Sequence, residues 1–325
     1  TFKDFYLNHW ETFVDYNIHD VALVDKLDDK MKLLDLAFTV SFLAKVNFED
    51  VFSQGRVWDA IIYNNLKGKK IAIPQKKDIE PSDTKFEGAF VKDPIIGYHK
   101  WIASYDLNSL YPSLIRHYNI SPETITDIRI PCSVDKLLNQ EVDLSFAKEK
   151  NLSVTANGWC YRKDKQGFLP EIMESMYKSR SDYKKQMLAV EQEYERDKSN
   201  VALEKEIARL NNLQMALKIA LNSAYGSLGN AYFRYFDLRM AEGITTSGQL
   251  SIRWIAEAFN KFLNKANGAE SNDYVLMIDT DSNYLTLETL VEKHCVGKTD
   301  EEKIAWMDEF CETVLQPVVD KSYTK

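Results

Sequence analysis

Between residues 18 and 46 apolar side chains recur at intervals of three and four, at Val21, Val24, Leu27, Met31, Leu34, Phe38 and Phe42. That spacing lines one face of an α-helix and predicts a packing helix there. Two longer stretches repeat it. Residues 170–197 carry Met173, Met176, Tyr177, Tyr183, Met187 and Val190, and residues 201–225 carry Leu203, Ile207, Leu210, Leu213, Leu217 and Leu221. The polar tetrad Asp197-Lys198-Ser199-Asn200 between them predicts a turn and an antiparallel helical hairpin. Further helices are expected over 238–266, ending at Asn267-Gly268, and over 300–320. Strand patterns are shorter. Trp101 to Asp106 reads as one strand, followed by a helix that starts at Pro112 and runs to Tyr118. Tyr274 to Ile278 reads as a buried strand, Asp279 to Ser282 as a tight turn, and Tyr284 to Leu287 as the return strand. Residues 67–100, rich in Lys, Gly, Pro and Asp around pieces such as Ile71-Ala72-Ile73, read as strands and loops. Residues 119–169 give no clear pattern, and no internal repeat is visible.

Composition sets outer limits. With 325 residues, 45% of them apolar, the chain can bury a sizeable core, and two or more structural units are expected. A net charge of −8 argues against a nucleic-acid partner, because phosphate binding leaves a basic footprint. The acidity is uneven, however: residues 161–220 hold 12 Lys/Arg against 10 Asp/Glu, and residues 268–325 hold 5 against 13. Cys132, Cys160, Cys295 and Cys311 are widely spaced with no Cys-x-x-Cys pair and no matched His, which excludes a zinc motif or a disulfide framework and favours a reduced, intracellular protein. No apolar run reaches the length of a membrane span, and the N-terminus is unlike a signal peptide. A first residue that is Thr rather than Met reads as a processed or truncated chain.

The chemistry-bearing residues change the picture. Asp106 ends one expected strand, and Asp279 and Asp281 flank one residue in the turn of another, so that both turn carboxylates can lean to one side. Carboxylates presented this way suit two magnesium ions, which take hard oxygen ligands alongside substrate phosphates, and two-metal sites serve in-line phosphoryl displacement. The plainer reading of Asp-Thr-Asp-Ser is a hydrogen-bonded turn. On the long helices Arg180 and Lys184 stand one turn apart, as do Lys218, Asn222 and Tyr225 in series. Those cations can hold a triphosphate, most of what phosphoryl transfer asks of a protein, or they can be ordinary solvated charges. Gly226 and Gly229 fit either a helix stop or a close approach of the backbone to a ligand. Tyr232, Phe233, Tyr235 and Phe236 are expected in the core.

Taken in order, three blocks resemble the motifs of family B DNA polymerases, and nearly the whole chain takes part in the likeness. They are Asp106-Leu107-Asn108-Ser109-Leu110-Tyr111-Pro112-Ser113, the Lys218 to Gly226 block with Asn222, Ser223 and Tyr225, and Asp279-Thr280-Asp281-Ser282. Asn119 to Thr124 and Phe233 to Arg239 are similar to the T-even-type phage replicative enzymes in particular. The resemblance implies an α+β fold: a palm of antiparallel sheet with packing helices and a helical-hairpin fingers subdomain, without a thumb. It divides the chain into a C-terminal remnant of a 3′–5′ exonuclease domain (1–50), a connecting segment (51–100), palm (101–169), fingers (170–225) and palm again (226–325).

The implied reaction is template-directed DNA synthesis from dNTPs on a primer–template, as a fragment or split subunit. Asp106 and Asp281 would be the catalytic metal-binding carboxylates, with the Leu107 carbonyl and Asp279 beside them. Ser109 and Leu110 would meet the triphosphate, and Tyr111 would sit under the incoming sugar and exclude a 2′-hydroxyl. Arg180, Lys184 and Lys218 would grip phosphates, while Asn222 and Tyr225 would line the nascent base pair. Tyr16 and Asp20 are similar to the third exonuclease motif. The sequence departs from the family at Ile278, where glycine is usual. The first two exonuclease motifs, the lysine-rich motif and the thumb are also missing, so the chain reads as the middle of a polymerase whose other portions would be partners, with a sliding clamp possible and no membrane. The expected setting is the cytoplasm of a bacterial host. The competing reading is an inactive polymerase-like scaffold of a replication complex; an RNA-copying reverse transcriptase is disfavoured by the second and third blocks.

Overall fold

The computed structural model describes residues 1–76 and 86–323. In chain order it contains α1 (Phe2–Asn8), α2 (Trp10–Met31), α3 (Leu33–Ala44), a 3-10 turn (Phe48–Phe52), α4 (Gln54–Gly68), β1 (Val91–Lys92), β2 (Ile102–Asp106), α5 (Leu110–Tyr118), β3 (Ile125–Arg129), α6 (Val134–Leu138) and α7 (Ser145–Glu149). These are followed by β4 (Leu152–Val154), β5 (Trp159–Arg162), α8 (Phe168–Tyr194), α9 (Val201–Leu228), α10 (Leu238–Asn267), β6 (Val275–Asp279), β7 (Ser282–Thr286), α11 (Glu288–His294), α12 (Asp300–Phe310), a π turn (Cys311–Leu315) and α13 (Gln316–Ser322). Contacts divide the chain into two compact units, residues 1–64 with 175–220, and residues 65–174 with 221–325.

The first unit is helical. The single helix expected over 18–46 is two, because Lys32 takes a left-handed conformation (φ 53°) and closes α2 by donating its N–H to Asp28 O at 2.7 Å. The Asp28 carboxylate then accepts from Leu34 N at 3.0 Å and starts α3. A small core gathers Val40, Ala44, Val51, Val57 and Ala216, and buried Trp58 donates its indole N–H to Ala220 O at 2.9 Å. The stripe that predicted the first helix does not pack inward: Val21, Val24, Leu27, Met31, Leu34, Phe38 and Phe42 are each 52–81% exposed. Arg209 on α9 lies within electrostatic reach of Tyr183 on α8, a pair symmetric about Arg196 in the turn region, as an antiparallel return requires.

The second unit is built on a four-stranded antiparallel sheet in the order β1-β6-β7-β2. Its inner face packs on α10: Ile252, Ile255, Phe259 and Leu263 meet Val275, Ile278 and Leu285, and residues from α11 to α13 close the cluster. Burying each such aliphatic side chain stabilises the fold by roughly 1.5–3 kcal/mol relative to leaving it exposed. Of the segment 67–100, only Val91–Lys92 is a strand among the described residues; Ile71-Ala72-Ile73 is irregular, and residues 77–85 of that reading lie outside the described residues. The stretch that gave no pattern forms a second sheet, β3-β5-β4.

Asn119 ties that sheet's approach together. Its amide donates to Arg162 O at 2.6 Å and Lys165 O at 2.8 Å, and its carbonyl accepts from Gly167 N at 2.8 Å. Glu123 accepts from Phe168 N at 2.6 Å, and Ser121 Oγ accepts from Leu169 N, so this block caps α8. Gly167 is required by close approach, since a Cβ there would stand 2.5 Å from Ser121 Cβ. The helix expected over 300–320 is interrupted by the π turn just before Pro317. Proline lacks the N–H that would continue the α-helical ladder to Thr313.

Candidate active site

Asp106 is the last residue of β2, and in the ladder it faces Ser282 at the start of β7, which in turn faces Asp279 at the end of β6. The hairpin loop between β6 and β7 has only two residues, Thr280 and Asp281. Thr280 is held at φ 54°, the positive φ a tight hairpin needs at this position and one that is strained for a β-branched residue. It is fixed from both sides: Asp281 N–H donates to Asp279 O at 2.6 Å and Thr280 N–H to Phe90 O at 3.1 Å.

Across the sheet, Leu107 N–H donates to Asp281 O at 2.8 Å, and Ser282 Oγ donates to Asp106 Oδ2 at 3.1 Å. Asp106 and Asp279 are exposed and Asp281 is half-buried. Burial, then the charge of Asp106, and more weakly that of Asp279, push the Asp281 carboxyl above its ordinary range.

A like-charge cluster of this kind is relieved by a divalent cation. The oxygens of Asp106, Asp281 and the Leu107 carbonyl are the hard donors magnesium takes, so these residues fit such an ion. Among the described residues no group of three or more His, Cys, Asp or Glu is gathered to hold a metal. All four cysteines are free.

Beside the acids, Ser109 takes a left-handed conformation (φ 51°) and turns the chain from β2 into α5, which begins at Leu110, two residues before Pro112. Leu110 is buried, and Tyr111 projects from the first turn. Its ring lies 4.7 Å from that of Tyr225, and Tyr225 is in turn flanked by Phe86 at 6.3 Å. Gly248 of α10 backs Tyr111, where a Cβ would come within 3.2 Å of the ring. Burial, helped by Tyr225 and the negative charge of Asp281, pushes the Tyr111 phenol up to about 12, so it stays neutral through the physiological range.

Asp106, Leu107, Ser109, Leu110, Tyr111, Asn222, Tyr225, Asp279 and Asp281 belong to the second unit, whereas Arg180, Lys184 and Lys218 belong to the first. On α8 Arg180 is half-buried and Lys184 exposed; on α9 Lys218 and Asn222 are exposed. Tyr16 sits in an aromatic group with Phe2 and Phe5 on α1, and Asp20 lies one turn further along α2. Ile278, the departure from the usual glycine, points into the core and is 3% exposed, so its side chain does not intrude on the acidic surface. Sequence reasoning missed Ser282 as a partner of Asp106, Gly248 behind Tyr111, and the segment from Phe86 to Phe90 that braces Tyr225 and Thr280. The apolar positions of Phe86-Glu87-Gly88-Ala89-Phe90-Val91 were the one available signal.

The DNA polymerase family B model matches residues 47–304. Over 97% of its length the chain is 33% identical to the DNA-directed DNA polymerase of Enterobacteria phage T4 and 32% identical to that of Escherichia phage RB69, covering 39% of each. It is 30% identical, over 89% of its length, to 25% of the DNA polymerase delta catalytic subunit of Plasmodium falciparum. The family B DNA polymerase structure from the hyperthermophilic archaeon Pyrobaculum calidifontis aligns with a TM-score of 0.57 and 21% identity over 89% of this chain and 32% of that one, a likeness of fold. The chain therefore belongs to DNA polymerase family B, and within it stands close to the phage T4 type. It spans about two fifths of the length of these phage relatives. No helix among the described residues is long and apolar enough to cross a membrane.

Proposed function

We propose that this chain carries the nucleotidyl-transfer centre of a DNA-directed DNA polymerase that extends a primer 3′-hydroxyl with dNTPs on a DNA template. The observation that carries the reading is the strand register that sets Asp106 beside the Asp279–Ser282 hairpin, where burial first, and then the charges of Asp106 and Asp279, disfavour the ionised form of Asp281. Asp106, Asp281 and the Leu107 carbonyl would hold two magnesium ions, with Asp279 a supporting acid. Bound magnesium would supply charge neutralisation at the triphosphate and help release the primer hydroxyl proton.

The rest falls to the chain's own groups. The backbone amides of Ser109 and Leu110, at the N-terminus of α5, would bind phosphate oxygens. The Tyr111 ring, wedged against Gly248 and Tyr225, would exclude a 2′-hydroxyl by contact. Asn222 and Tyr225 would border the new base pair. Arg180, Lys184 and Lys218, with no acidic residue one turn away from Lys184 or Lys218 on their helices, would neutralise triphosphate charge, the main demand of this chemistry.

In this reading residues 101–169 and 226–325 form the palm, 170–225 the fingers, 51–100 a connection, and 1–50 the end of an exonuclease domain with Tyr16 and Asp20 as its third motif. The remaining polymerase portions and a sliding clamp would be partners, acting in the cytoplasm of a bacterial host. Primer extension with magnesium and dNTPs tests it. The chain, alone or with those portions, is expected to extend the primer, and Asp281→Asn to lower the rate about 100-fold or more while leaving the fold intact. Extension by Asp281→Asn at the parental rate would refute the assignment.

A further inference from the structure

Below the outward row Asp106, Ser282 and Asp279 lies an inward row, Tyr105, Asn283 and Ile278, in the same ladder. Tyr105 is therefore covalently next to Asp106 but directed to the opposite face of the sheet. Its ring rests on Phe259 of α10, with centroids 4.9 Å apart, and its phenol O–H donates to the carbonyl of Cys311 at 3.0 Å. Cys311 opens the π turn, and the same carbonyl accepts the N–H of Gln316, five residues on. In an α-helix its partner would be the N–H of Leu315. The wider π register turns this carbonyl to serve two donors, one from its own helix and one from the sheet, and π bulges, rare in themselves, occur frequently at functional sites.

We infer that Tyr105 is a positioning residue for Asp106, pinned at its hydroxyl by the Cys311 carbonyl that the π turn presents. A strand fixed at the ring and at the hydroxyl of one residue has little freedom to slide or twist at the next. Asp106 is thereby held on the inner side by Tyr105 and on the outer side by the Ser282 hydroxyl. The inference rests on the polymerase reading, and it makes the helices after the second acidic motif part of the catalytic scaffold.

Three variants test it in the full chain with whatever portions support extension. Tyr105→Phe keeps the ring and deletes the hydroxyl; the expected result is a kcat lowered about tenfold, in keeping with small misplacements of a reacting group, with the KM for dNTP unchanged. Hydrogen exchange over residues 102–107 should quicken while that over 275–279 stays as in the parent. Pro317→Ala restores an N–H and lets the helix return to the α register; it should reproduce both effects, and the double variant should be no worse than either single one. Cys311→Ala, which keeps the carbonyl, should leave the exchange pattern unchanged.

Parental kcat and parental exchange in Tyr105→Phe would overturn the inference, as would a raised KM with kcat intact or full additivity in the double variant. If the parent itself extends no primer, the polymerase reading fails. The pinning of β2 is then decided by exchange alone, faster over 102–107 supporting it and unchanged refuting it.

Discussion

Tyr111 has Tyr225 on one side and the bare backbone of Gly248 on another, so its ring has one place to stand. Replacing it with alanine opens that place, and Tyr111→Ala is expected to admit ribonucleotides, measured as the ratio of kcat/KM for dNTP and rNTP; an unchanged ratio would count against the steric role. Asn283 offers a second residue-scale test. It is 1% exposed, its Nδ2 reaches Ile252 O only at 3.5 Å, and its Oδ1 has no partner. A buried polar atom left unpaired costs roughly 1–3 kcal/mol, and valine suits a buried strand. Asn283→Val should therefore stabilise the protein by about 1 kcal/mol in urea unfolding. At this scale the sequence was a good guide to where Asp106 and Asp279 stand, because each closes a strand, and a poor one to the supports around them. Ser282 was legible only as a turn residue, and nothing in the spacing marks Gly248 as the wall behind a tyrosine 137 positions earlier in the chain.

Elements here are joined by side chains that satisfy exposed backbone ends. Asn119 makes three such bonds from a left-handed conformation that asparagine tolerates well, so Asn119→Ala should destabilise the second unit by about 2–4 kcal/mol in chemical unfolding. Asp273 joins three elements in the same way: it takes Lys92 Nζ at 2.5 Å, Asn260 Nδ2 at 2.9 Å and Val275 N at 3.1 Å. Burial alone would raise this carboxyl, but the hydrogen bonds from Lys92 and Asn260 and the charge of Lys92 outweigh it and hold the carboxyl below its usual range. A depressed carboxyl contributes stability above its unfolded value of about 4 and loses it as pH falls through the lower folded value. The stability gap between the parent and Asp273→Asn should accordingly be full near neutrality and close as pH drops below about 4. The long helices and the β6–β7 hairpin were legible because their periods run over many residues or end in a strong turn. The second sheet was not: its strands are three to five residues long, too short for alternation to stand out from chance, and its first pairing carries a register shift.

For the molecule as a whole, periodicity marked residues 18–46 as helical but as one helix rather than two, left α1 and the start of α2 unmarked, and misjudged their surroundings. Neither α1 nor α2 buries a residue, and Phe42 on α3 is 81% exposed. Contiguous apolar surface of this kind marks either an interaction face or a liability to association. The purified chain is expected to bind a hydrophobic dye and to sediment with concentration-dependent mass. Replacing Phe38 and Phe42 with lysine should reduce both while leaving the unfolding midpoint close to the parental value; undiminished dye binding would show that the exposed surface lies elsewhere.

Sheet order also dictates timing during synthesis. Asp106 and the serine that braces it are separated by 176 residues, so at about 5–20 residues per second a ribosome delivers the second roughly 10 to 35 seconds after the first. Throughout that interval β2 is a nascent strand with bare edges on both sides, since among the described residues its one neighbour in the sheet is β7. Open edges recruit other strands, so the newborn chain passes through a window in which the segment bearing Asp106 is open to mispairing, and a chaperone that shields edges should raise its yield.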